Sequence, residues 1–89
     1  MVRIIWNVPA REDVERIRSY VSQFDPVAAQ RLAERIVQAG DSLADFPNRG
    51  RPAGGTRREL AIVPPYVIRY RVAGNAVYIT RIKHGGSVR

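Results

Sequence analysis

Arg69 and Arg71 stand two residues apart in one run of β-branched and aromatic residues, and Arg81 and Lys83 do the same in the next. Strand side chains alternate faces with period two, so each pair projects to one side of a sheet, while Tyr66, Ile68, Tyr70 and Val72 project to the other. A sheet that buries one face and lines the other with guanidinium and ammonium groups is built to meet an anion. Two titratable groups stand near these cations, Glu59 and His84, and His84 is the only side chain whose unperturbed pKa lies near neutrality. On paper the set meets the needs of a metal-free RNA cleavage with the 2′-hydroxyl as nucleophile. Glu59 would be the base, His84 a proton carrier, and Arg69, Arg71 and Arg81 the phosphate clamp. Each group also has a plainer reading. His84 suits a strand end that pairs locally or faces solvent, and Glu59 suits a cross-strand partner of an arginine. Arg57 and Arg58 read as edge-strand charges that discourage sheet-to-sheet association.

The rest of the composition narrows the chemistry. A chain of 89 residues makes one small domain with a single core. The formal charge of +7 is high for that length, and arginine supplies 14 of the 15 basic residues. Such a surface favours nucleic acid or an acidic protein partner. With no cysteine there is neither a disulfide framework nor thiolate chemistry. One histidine and scattered carboxylates make a metal site improbable, and no cofactor is expected. Gly50, Gly54 and Gly55 precede no Gly-Lys-Ser/Thr and no helix, so they form no phosphate-cradling loop. The apolar run Ile4-Ile5-Trp6 is too short for a signal-peptide core or a membrane span, so a cytoplasmic location with no membrane contact is expected.

The elements that must position these groups follow from periodicity. Val2 to Asn7 reads as a strand ending before Pro9, which suits the first turn of a helix. Val14, Ile17, Val21 and Phe24 mark one apolar helical stripe, with Glu12, Asp13 and Glu15 placed near its positive end. Asp25-Pro26 reads as N-cap and first residue of a second helix carrying Ala29, Leu32, Ile36, Ala39, Leu43 and Phe46. Gly40 weakens that helix locally but permits close packing. Two helices with so short a link fold back as an antiparallel hairpin. Residues 47–55 read as the one true loop, followed by strands at roughly 57–63, 65–73 and 76–83, separated by Pro64-Pro65 and Gly74-Asn75. Trp6, Tyr66, Tyr70 and Tyr78 are expected in the core with hydroxyls at its rim. The last residues, Gly85 to Arg89, are expected to be loose. The predicted fold is α+β, an N-terminal strand, an antiparallel helical hairpin and a three-stranded antiparallel meander, in a single domain over residues 1–89.

That order of elements, with Trp6 before Pro9-Ala10, Asp13-Val14 and Ile17, and Asp25-Pro26 with Ala28-Ala29, resembles the RelE/ParE toxin superfamily of type II toxin–antitoxin modules. The resemblance continues through Leu43-Ala44-Asp45-Phe46-Pro47, Gly50-Arg51, Arg58-Glu59-Leu60, Pro65-Tyr66-Val67-Ile68 with Tyr70, and Val77 to His84. It leans toward the ParE branch, because no aromatic residue follows His84 and lysine appears once. The ParE resemblance implies a toxin that inhibits DNA gyrase and is neutralised by a cognate antitoxin, with Arg69, Arg71, Arg81 and Lys83 facing the target. A RelE-like toxin would instead cleave mRNA on the ribosome, with Arg58, Arg69, Arg81 and His84 as the catalytic candidates. Either branch implies an antitoxin segment bearing acidic and apolar residues, and an uncovered apolar patch along the second helix or at the chain termini to receive it. A third reading, a small basic nucleic-acid-binding module, would show steep salt dependence on naked nucleic acid.

Overall fold

The computed structural model describes residues 2–85. The chain runs β1 (Arg3–Trp6), α1 (Val8–Ser22), α2 (Pro26–Asp41), a 3-10 turn (Ser42–Ala44), β2 (Arg51–Pro52), β3 (Arg57–Val63), β4 (Tyr66–Ala73) and β5 (Ala76–His84). Pro9 sits in the first turn of α1, and the Asp25 carboxylate accepts the Ala28 N–H at 3.0 Å to cap α2, as the sequence predicts. Gly74 takes φ 59° in the turn between β4 and β5, a conformation that costs glycine nothing. The expected looseness of the chain end falls mostly on residues 86–89, outside the described residues.

The predicted three-stranded antiparallel meander is present as β3, β4 and β5, inside a larger sheet. That sheet has five strands in the order β1-β5-β4-β3-β2, and β1 pairs parallel to β5, so it is mixed rather than antiparallel throughout. Arg51 and Pro52, predicted as loop, pair with Glu59 and Arg58 as a short edge strand. The helical hairpin covers one face. Ile36, Ala39 and Leu43 pack there with Leu60, Ile68, Tyr70, Val77, Ile79 and Ile82. Each large side chain so buried contributes about 1.5–3 kcal/mol. Exposed helical pairs such as Arg18–Glu15 are screened by solvent and add little, so the core and not the surface charge holds the hairpin down. Gly40 allows the approach, since a Cβ there would lie 2.5 Å from Trp6 Cζ2 and 2.8 Å from Ile79 Cδ1.

Both predicted apolar stripes end early. Phe24 is 73% exposed in the link between the helices, and Phe46, beyond the end of α2, is 64% exposed. The fully buried tyrosine is Tyr70, whose hydroxyl is not at a rim: it donates to Pro47 O and accepts the Gly50 N–H, both at 2.8 Å.

Candidate functional site

The second face of the sheet is left open by the helices, and register assigns its residues. Ile68, Tyr70, Val77 and Ile79 point into the core, so Arg69, Arg71 and Tyr78 point out. A regular strand would send Tyr78 and Arg81, three apart, to opposite faces. A register shift between β4 and β5 inserts Thr80, whose hydroxyl donates to Arg69 O at 3.1 Å, and Arg81 then falls opposite Arg69 while Ile82 remains in the core. Arg57 and Glu59 on β3 face Arg71 and Arg69 respectively. Lys83 falls opposite Val67 at the far end. The structure thus brings Arg69, Arg71, Arg81 and Lys83 to one face. Arg57, Glu59, Arg69, Thr80 and Arg81, with parts of Arg58 and Tyr70, line a concavity of about 310 Å³.

Much of this charge is compensated. Glu59 lies 3.1 Å from Arg51 Nη2 and 3.3 Å from Arg69 Nε. Arg81 turns around the sheet edge to Asp13 of α1, donating from Nε to Oδ2 at 2.7 Å and from Nη2 to Oδ1 at 3.1 Å. Asp13 also accepts the Ile82 N–H at 2.9 Å and Arg16 Nη1 at 2.8 Å. Its carboxylate stands where a neighbouring strand would, since β1 pairs with β5 only as far as Ile79. Burial pushes the Asp13 carboxyl upward, but hydrogen bonds from Arg81, Ile82 and Arg16 outweigh it and lower the pKa from 3.8 to about 2. Asp13 is therefore a buried anchor rather than a charge near the helix start. The missed signal was its spacing, three residues after Ala10 and four before Ile17, which puts it on the buried side of α1.

The remaining candidates direct their side chains elsewhere, although part of Arg58 borders the concavity. Arg58 shares the helix-side rung with Tyr70 and donates to Asn48 O at 3.2 Å and Gly50 O at 2.7 Å, holding the loop into β2. His84 faces Tyr66 on the helix side of the sheet, with the rings edge to face at 5.7 Å. The four residues Arg58, Arg69, Arg81 and His84 are thus divided between two faces. Tyr78, expected in the core, lies on the open face beneath the Arg71 guanidinium, 4.3 Å from ring centroid to Cζ. Among the described residues no group of three or more His, Cys, Asp or Glu could hold a metal ion, and no helix is long and apolar enough to cross a membrane.

A second surface lies along the helical hairpin where it meets Trp6 of β1. Trp6, Arg11, Val14 and Val37 line a mainly apolar hollow of about 230 Å³. Val37 of α2 is 38% exposed there. Trp6 is oriented there by its Nε1–H, which donates to Asp41 Oδ1 at 3.1 Å.

Comparison with known proteins places these features in context. Residues 4–88 match the family described as ParE toxin of type II toxin-antitoxin system, parDE. Toxin RelE2 of Caulobacter vibrioides is 54% identical over 84 residues, covering 94% of this chain and 96% of that protein. Toxin RelE1 of the same organism is 42% identical over 85 residues, covering 92% and 91%. The solved structure of the "Chromosomal ParDE TA system from P. aeruginosa" superposes with a TM-score of 0.86 at 26% identity, covering 94% of this chain and 96% of that one.

Proposed function

The chain belongs to the ParE toxin family of type II toxin–antitoxin systems, and from that membership we propose that this toxin acts by binding DNA gyrase and is held inactive by a cognate antitoxin. The observation that carries the choice of target is the separation of His84 from the arginines. General acid–base catalysis needs its groups within hydrogen-bond reach of one reacting centre. Here His84 lies on the helix side and Arg69 and Arg81 on the open side. Glu59 is engaged by Arg51 and Arg69, and Arg81 by Asp13. Such a face suits binding better than proton transfer. Arg69, Arg71, Arg81 and Lys83 are its target-facing residues.

The antitoxin falls on the other surface. An amphipathic segment laid along the α1–α2 hairpin would cover Val14, Val37 and the Trp6 hollow, with acidic residues meeting Arg11 and Arg18 at the rim. This leaves the open sheet face to the target. The RelE names of the relatives keep ribosome-dependent mRNA cleavage as the second reading.

Inducing the chain without its antitoxin separates the two. DNA-damage signalling and filamentation while translation continues, with loss of gyrase supercoiling by the purified chain, are the expected results. Early arrest of translation with messages cut on ribosomes would overturn the gyrase reading.

A further inference from the structure

The open face of the sheet is not charged throughout. On β1, Ile4 and Trp6 pack against the core, so Ile5 between them projects to the open side. Its partner in the parallel register is Tyr78 of β5, and Tyr78 in turn stands opposite Arg71 of β4. From the β1 edge inward, one rung therefore reads Ile5, Tyr78, Arg71. Ile5 and Tyr78 are both half-buried, and so is Ala73 on the next rung. An apolar strip thus reaches from the edge toward the middle of the sheet.

Two arginines border the strip. The Arg71 guanidinium lies over the Tyr78 ring, 4.3 Å from Cζ to the centroid, which restricts the side chain and leaves its N–H edges for an acceptor. Arg3 stands on the neighbouring rung, opposite Ala76. Both arginines are exposed, and neither forms an ion pair among the described residues. Glu59 shares this face but sits on a different rung, already held by Arg51 and Arg69. Apolar surface beside uncompensated cations complements a segment that is itself both apolar and acidic.

We propose that Ile5, Tyr78 and Arg71 form the anchor site for an acidic segment of the protein target, taking one apolar side chain over Ile5 and Tyr78 and an Asp or Glu on Arg71. The spacing suits an extended segment. Neighbouring strands lie about 4.8 Å apart, and alternate side chains of an extended chain about 6.6 Å apart. A segment crossing from β1 toward β4 can place its apolar residue at Ile5 and its carboxylate, two residues later, at Arg71. A nucleic acid fits less well. One face of the Tyr78 ring is taken by Arg71, so no base stacks there, and Ile5 offers apolar area without a π face. The inference rests on the open face being the target-facing surface and adds what that face recognises.

Its test needs neither gyrase nor toxicity, so it can fail or succeed apart from that reading. The purified full-length chain is titrated by NMR with two capped hexapeptides of equal charge, Ser-Leu-Ser-Glu-Ser-Glu and Ser-Ser-Ser-Glu-Ser-Glu. The leucine peptide is expected to bind roughly tenfold more tightly and to shift the Ile5 methyl and Arg71 Nε–H signals. Ile5→Ser should abolish that difference while leaving the serine peptide unaffected. Arg71→Gln, at an exposed position that does not threaten the fold, should weaken both peptides by roughly threefold. Several results would each overturn the proposal: equal affinity or no binding of the two peptides, a difference that survives Ile5→Ser, or shifts gathered instead at Trp6 and Val14. Tighter binding of a thymidine trinucleotide, which carries the same two charges, through Ile5 and Arg71 would do so as well.

Discussion

Arg57 and Arg58 are chain neighbours on β3, and the strand sends them to opposite sides of the sheet with opposite consequences. On the helix side Arg58 donates to two loop carbonyls and sits across from buried Tyr70, so its charge is spent on holding the chain together. On the open side Arg57 faces another arginine. The difference teaches where this molecule tolerates electrostatic conflict. Where a guanidinium touches the folded frame it finds acceptors: Arg58 on the loop, Arg81 on Asp13, Arg69 near Glu59. Arg57, exposed to solvent, forms no ion pair among the described residues, and screening keeps the cost of that small.

The strongest way to break the compensated side is through Asp13. Asp13→Ala strands the Ile82 N–H at the sheet edge and releases Arg81 and Arg16. Removing one partner of a buried pair costs about 3–5 kcal/mol. Arg81 and Arg16 keep 41% and 68% of their side-chain surface exposed, so about 2–3 kcal/mol is the expected loss in urea unfolding. The pH dependence has a definite sign. The carboxyl has the lower pKa in the folded state, about 2 against 3.8, so acid protonates the unfolded chain first. Its contribution of about 2 kcal/mol is complete above pH 4 and disappears as pH falls toward 2. Asp13→Asn should flatten that part of the stability–pH curve. A curve of unchanged shape would show that Asp13 is not the anchor.

Next in size is the helix-side clip. Tyr70→Phe keeps the buried ring but leaves the Gly50 N–H and Pro47 C=O without their partner, at a cost of about 2 kcal/mol by chemical denaturation. Amide exchange should quicken at Gly50 and Arg51 first, because the hydroxyl secures the loop leading into β2. A variant as stable as the parent would mean that the loop is held by Arg58 alone.

What could be read from the sequence divides along the same line between local and tertiary causes. The helical hairpin was legible because its apolar spacing and the Asp25-Pro26 start are local signals. So was the turn at Gly74-Asn75. The parallel pairing of β1 with β5 was not, since partners such as Ile4 and Val77 are joined only by the fold. Arg51-Pro52 looked like loop because two residues carry no period, and the pairing is set by β3. The clustering of Arg69, Arg71, Arg81 and Lys83 was anticipated from alternation alone. Nothing in the sequence announces the shift at Thr80 that puts Tyr78 and Arg81 on one face. Arg58 and His84 left the catalytic set for the complementary reason: alternation assigns them to the other side once Tyr70 and Ile82 are known to be buried.

The smallest expected effect sharpens the comparison most. Glu59→Gln turns the Glu59–Arg69 rung into one resembling its neighbour, with guanidiniums on Arg51 and Arg69 and no carboxylate between them. Arg51 is 81% exposed and Arg69 36%, so the change in stability should stay below about 1 kcal/mol. Affinity for a hexapeptide with glutamate at alternate positions should nevertheless rise roughly threefold, because Arg51 and Arg69 lose the carboxylate that now engages them. The gain should fall away in high salt, where screening reduces the attraction of every exposed charge. Unchanged affinity at low salt would mean that the position of Glu59 does not govern where an acidic partner settles, and the contrast between the two rungs would lose its functional meaning.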